Sequence, residues 1–252
     1  MTLLSPATCP ADDADLLRSY VYTHSSEAFR QLVDRHLPTI HAAATRILRP
    51  KLTPHAADIA QAVFILLAQK ASTIPPGTPL IGGLYKVTHY ACANLQRRER
   101  NRQRHEQETA TMRPNTSAPP SISDAEALLD PALLSLSPKD RDALLLRYTQ
   151  NLPLADIVRQ LQVPRATARR RLQHALQKLR RYFAAQGMLS AAPLALHGLA
   201  PNPSPAFTNM ASAITAAALA PTAGPSFLSI HPRDISWLAL EHLTRRGSRC
   251  KI

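Results

Sequence analysis

The chain has 252 residues, a formal net charge of +13 and 45% hydrophobic residues, enough apolar material for one large domain or two small ones. Aromatic residues make up 5%, which suits small helical domains better than a β-sandwich. The excess of positive charge favours a polyanionic partner, nucleic acid or an anionic membrane surface.

Residues 11–112 read as helical, with little glycine. The N-terminal stretch lacks the basic start and long apolar run of a signal peptide. Asp12 or Asp13 can cap a first short helix through Tyr22, and Ser25 or Ser26 can cap the next. In that second helix Phe29, Leu32, Val33, Leu37 and Ile40 keep a 3–4 spacing. Pro54 suits a first helical turn before the apolar helix HAADIAQAVFILLAQKAS. TIPPGTPLIGG then breaks the helix, and another runs from Leu84, ending in Arg97, Arg98, Arg100, Arg102 and Arg104. His36 and His41 read as core or surface residues rather than ligands. Cys9, Cys92 and Cys250 are isolated and odd in number, with no metal-ligand spacing or disulfide framework, the usage expected in a reducing cytosol.

Residues 113–130 are rich in Pro and Ser and read as a linker, with net charge −3 over 114–130. Residues 131–187 return to helix and carry net +8, the densest positive charge in the chain. Ser137 as N-cap, Pro138 at the first position and Asp140 at the third make a strong helix start. A helix over Leu154–Leu161, a turn at Gln162-Val163-Pro164 and a longer helix from Arg165 follow. On that last helix Ala168, Leu172, Ala175, Leu176, Leu179 and Phe183 form one apolar stripe. The opposite side carries Ala166, Arg170, Gln173 and Gln177, flanked by Arg169. A small residue near a helix N-terminus permits close approach to DNA, and Arg and Gln can bond guanine and adenine bidentately. A solvated basic face has the same local pattern, so this segment alone leaves both readings open.

Residues 188–252 form an Ala/Pro-rich, low-complexity tail, without a charged residue between Arg181 and Arg233. Pro193, Pro201, Pro203, Pro205, Pro221 and Pro225 interrupt it. The Pro-free run Ala206–Ala220 is 15 residues, short of the about 20 that a membrane span needs. A flexible tail with one short helix at 206–219 is expected, and DISWLALEHLTRRGSRCKI can form a final amphipathic helix.

Taken in order, these motifs resemble a bacterial RNA polymerase sigma factor of the sigma-70 family, in its compact extracytoplasmic-function (ECF) form. DADLLRSYVYTHSSEAFRQLVDRHLPTIHAAATRIL resembles the start of region 2, ADIAQAVFILLAQK its core-polymerase-binding helix, and GGLYKVTHYACANLQRRERNR the segment that melts and reads the −10 element. LSPKDRDALLLRYTQNLPLADIVRQLQVPRATARRRLQHALQKLR is similar to region 4, which reads the −35 element. The resemblance covers about residues 12–187. It implies an all-α protein of two small helical domains, at 11–112 and 131–187, without catalysis or cofactor. It implies core RNA polymerase and promoter DNA as partners, with an anti-sigma factor as a further candidate, and a cytoplasmic location.

By position, the family would place Arg165, Ala166, Arg169, Arg170 and Gln173 in the −35 major groove. Tyr85, Lys86, His89, Tyr90, Asn94, Arg97 and Arg98 would lie near the −10 strand, with the loop Thr73–Leu80 shaping a pocket for a flipped-out base. Asp58, Gln61 and Phe64 would meet core polymerase. Ala62 and Gly83 stand where the family commonly has an acidic residue and Trp. Gln162 replaces the usual turn glycine, so the turn either avoids positive φ or adopts it at a cost of ~1 kcal/mol. The alternative is a stand-alone helix–turn–helix regulator. A membrane-surface adaptor acting through the tail is a third reading. P-loop, zinc-protease, dinucleotide-turn and nucleophile-elbow motifs are all absent, which argues against an enzyme.

Overall fold

The computed structural model describes residues 12–48, 50–107, 122–188, 196, 199–200 and 206–220, and these are all-α apart from turns and short 3₁₀ segments. Helix α1 spans Asp13–Thr23, α2 Ser26–Ile47, α3 Ala56–Lys70 and α4 Leu80–Gln107. Helix α5 spans Ile122–Ser135, α6 Pro138–Tyr148, α7 Leu154–Leu161, α8 Arg165–Ala185 and α9 Ala206–Leu219. Caps set several of these starts. The Asp12 carboxylate accepts from the Asp13 amide at 2.8 Å, the Ser25 hydroxyl from Ala28 at 3.2 Å, and the Ser137 hydroxyl from Asp140 at 3.3 Å.

Two apolar cores form. One is built by α1–α4, around Phe29, Leu32, Leu37, Ile59 and Phe64, and α9 joins it. The other is built by α5–α8 around Leu129, Leu133, Leu144, Leu145, Leu179 and Phe183. Ala43 of α2 and Ile81 and Tyr85 of α4 reach into this second core, so the two units meet along a seam. The expected stripe on α8 faces inward as its period requires, with Ala168, Ala175, Leu179 and Phe183 buried and Leu172 and Leu176 half-buried.

Two boundaries differ from the sequence reading. Helix α4 starts at Leu80, so Gly82 and Gly83 lie inside it rather than ending a break. At Gly82 a Cβ would stand 1.7 Å from Oδ1 of Asp142, so the hydrogen lets α6 press against α4. The expected linker over 113–130 also runs too far, because residues from Ile122 onward are helical. Leu129, Ala132, Leu133 and Leu136 repeat at helical spacing and are buried, which outweighs the nearby prolines. The remainder of that linker, the amphipathic C-terminal segment, Cys9 and Cys250 lie outside the described residues. Among the described residues no helix is long and apolar enough to cross a membrane.

Gln162 resolves its alternative: it adopts the left-handed region, φ 49° and ψ 47°, as the C-cap of α7. Gly77, in the loop before α4, has φ 74°, and a Cβ there would lie 3.1 Å from Oε1 of Gln162. The turn of the second unit therefore rests on the loop of the first.

Polar groups hold the far end of the seam. Asp13 is buried, with one carboxylate oxygen accepting from Arg35 and the other 2.9 Å from Nε2 of His36. With Nε2 donating, Nδ1 of His36 is free to accept from the Gln150 amide at 3.2 Å. Burial alone would raise the Asp13 carboxyl, but His36 and Arg35 hold it at about 2.

Two predictions follow from this packing. Gly82→Ala should cost about 1–3 kcal/mol in chemical unfolding, because α4 and α6 must separate to admit the methyl group. A carboxyl depressed in the folded state stabilises above its unfolded pKa and loses that contribution as pH falls through its folded one. Acidification from pH 5 to pH 2 should therefore remove about 2 kcal/mol of stability that Asp13→Asn does not lose over the same range.

Candidate nucleic-acid interface

The helix–turn–helix is set by α7, the left-handed Gln162 and α8. Ile157 and Leu161 of α7 are buried with Ala168 and Ala175 of α8, which fixes how far α8 stands out. Arg165, Ala166, Arg169, Arg170 and Gln173 are all exposed on the outer side of α8. Two shallow depressions flank them. One, of about 720 Å³, is lined by Arg147, Pro153, Leu154, Arg165, Ala166 and Arg169, and the other, of about 600 Å³, by Arg170, Gln173, His174, Gln177 and Arg180. His174 lies 2.8 Å from Asp140 of α6 through Nδ1, which braces the middle of α8.

Residues 127–179 match the family model described as Sigma-70, region 4.

These residues are similar to a sigma-70 region 4 domain. Sigma-70 family proteins are non-catalytic transcription factors. No curated protein sequence matches the chain significantly. Among solved structures, the chain is similar to the co-crystal structure of the sigma factor RpoE in complex with the anti-sigma factor NepR from Bartonella quintana. That match has 19% identity and a TM-score of 0.31, over 63% of this chain and 98% of that one.

Around region 4, the residues expected at the −10 strand divide between two sides of α4. Tyr90 is exposed, as are Arg97 and Arg98, while Lys86 and Asn94 are half-buried. At 100° per residue these five fall in one sector of about 120°. Tyr85 and His89 lie outside that sector. Burial pushes the His89 imidazole down, which favours its neutral form. Tyr85 is fully buried against region 4. Its hydroxyl donates to Asp130 of α5, and Arg46 of α2 grips the same carboxylate with Nε at 2.9 Å and Nη2 at 2.8 Å. Nη2 of Arg46 also lies 3.3 Å from the Tyr85 hydroxyl. Burial and the Asp130 charge push the Tyr85 phenol up, and it stays neutral.

Asp58 and Gln61 are exposed on α3, whereas Phe64 is fully buried in the first core and offers no surface to a partner. The loop Ile74–Thr78 forms one wall of a cleft of about 140 Å³, with Leu17, Val21 and Tyr22 of α1 opposite. Tyr22 is 80% exposed. Burial, reinforced by the Asp130 charge, pushes the Cys92 thiol up to about 12, so it is no nucleophile. No group of His, Cys, Asp or Glu among the described residues could hold a metal ion.

Sequence reasoning missed Arg46, Asp130, Arg141 and Asp142, all placed at or beside the seam. The available signal was acidic residues at 3–4 spacing from buried leucines in α5 and α6, which amphipathicity alone does not account for. Asp130→Ala strands Arg46 and should cost about 3–5 kcal/mol, measured by denaturant unfolding. The paired change Arg46→Met with Asp130→Leu should recover most of that loss, because it removes both charges together.

Proposed function

We propose that the chain is a sigma factor in which the α1–α4 bundle binds core RNA polymerase and the −10 element while region 4 reads the −35 element. The observation that carries this reading is the exposed set Arg165, Ala166, Arg169, Arg170 and Gln173 on the recognition helix of a sigma-70 region 4 domain. Arg170 and Gln173 supply donors suited to base edges in the major groove. Lys86, Tyr90, Asn94, Arg97 and Arg98 supply the cations and the aromatic ring that a single-stranded backbone and its bases require. The cleft between Tyr22 and Pro75 is where an unstacked base would go, with apolar walls from Leu17, Val21 and Ile74. Asp58 and Gln61 are the exposed polar contacts for core polymerase, and Phe64 acts beneath them by shaping the core.

The two units must part for this to happen. Elements named −10 and −35 are about 25 base pairs apart, roughly 80 Å of duplex at 3.4 Å per pair. Two touching domains of this size do not reach that far. The chain between Gln107 and Ile122 is long enough to span at most about 50 Å. The seam suits separation, because Asp13, His36, Asp130, Arg141 and Asp142 place charge and polarity where an obligate core would be apolar. An anti-sigma factor, as a further partner, would act by holding the closed arrangement. Action inside the cytoplasm accompanies this reading.

Mixing the purified chain with core polymerase should yield promoter-dependent transcripts. Failure both to co-purify with core and to support initiation would overturn the reading, and tight duplex binding without polymerase would favour a stand-alone regulator. Replacing Arg170 with Ala should cost about 1–3 kcal/mol at one −35 position and relax specificity there. Arg100→Ala should weaken binding across sequences and lower the slope of log affinity against log salt by about one. Promoter-by-promoter binding measurements at several salt concentrations check both.

A further inference from the structure

Helix α9 has no part in the reading above, yet it is packed as a core element. It lies against both α2 and α3. Ala211 and Ile214 are 1% and 2% exposed and belong to the same cluster as Ile59, Ala62 and Val63 of α3. Phe207, Met210 and Ala218 pack against that cluster, so the positions facing the bundle keep a 3–4 spacing along one stripe. The Phe207 ring meets His41 of α2 edge-on, with centroids 5.3 Å apart. No residue of α9 is charged.

The receiving helix is unusual in the same way. Helix α3 is buried at Ala56, Ile59, Ala60 and at every position from Ala62 to Leu67. A helix that is apolar on nearly all sides needs cover on nearly all sides. Helices α2 and α4 cover part of it, and α9 supplies further cover. Ala62, adjacent to the exposed Gln61, is 7% exposed and shares its cluster with Ala211 and Ile214.

We propose that the α2–α3 face is a helix-docking surface occupied by the chain's own α9, and that core RNA polymerase must displace α9 to engage α3. This rests on the reading of α3 as the core-binding helix. The occupant is apolar and uncharged, so the seat selects shape and apolar area rather than charge. Residues 189–205 tether α9 to region 4, which holds it at a high effective concentration near the seat. A competitor then binds only the fraction of molecules in which α9 has left, and its apparent affinity falls by that fraction.

The test titrates core polymerase with the full chain and with the full chain carrying Ala211→Glu and Ile214→Glu. The double variant should bind about tenfold more tightly, and a peptide of residues 204–221 added in trans should reverse the gain. Equal or weaker binding by a variant that keeps its helicity and cooperative unfolding overturns the proposal. Should the variant fail to fold, amide hydrogen exchange on the unmodified chain decides. Protection across 211–218 should fall when core is added, while the α2 interior stays protected. Protection that stays the same or rises across 211–218 overturns the proposal. Core binding with α9 unmoved refutes only this inference, whereas no binding by any form of the chain refutes the sigma-factor reading along with it.

Discussion

One carboxylate, Asp130, organises the contact between the two units. It accepts two bonds from Arg46 and one from Tyr85, all inside the protein. A buried ion pair contributes little net stability compared with apolar residues of similar volume, but breaking it on one side is expensive. It therefore defines where α5 sits on α2 and α4 without committing the units to stay together. The Arg35–Asp13–His36–Gln150 network does the same at the other end. Between them, Gly82 allows α6 its close approach.

The opposite logic governs the interior of the first unit. Phe29, Leu32, Val33, Leu37, Ile40 and Phe64 are all fully buried. Separation along the seam would expose charged groups together with Ala43, Ile81 and Tyr85, whereas separation within the bundle would expose mainly apolar surface. On the reading proposed above, the seam is the line along which the two units part, with the promoter contacts on either side of it.

Much of this was legible in the sequence. The caps at Asp12, Ser25 and Ser137, the apolar spacing of α2, the stripe on α8 and the limits of α9 all follow from local chemistry. What was not legible depends on neighbours distant along the chain. Gly82 reads as a helix breaker until Asp142 is placed against it. Tyr85 sits beside Lys86 in a basic helix and reads as a DNA contact, but its face is decided by Asp130. Prolines near α5 hid a helix that its buried leucines maintain. Phe64 has the family position of a partner contact, yet its side chain points inward. The exposed side of α8 was legible because the helix period alone separates it from the core stripe.

The absence of charge on α9 has a thermal consequence. Its attachment to α2 and α3 depends on burying apolar side chains, with no ion pair to sustain it. Apolar burial carries a large heat-capacity change and weakens on cooling. Cooling therefore weakens the seat of α9 on α2 and α3.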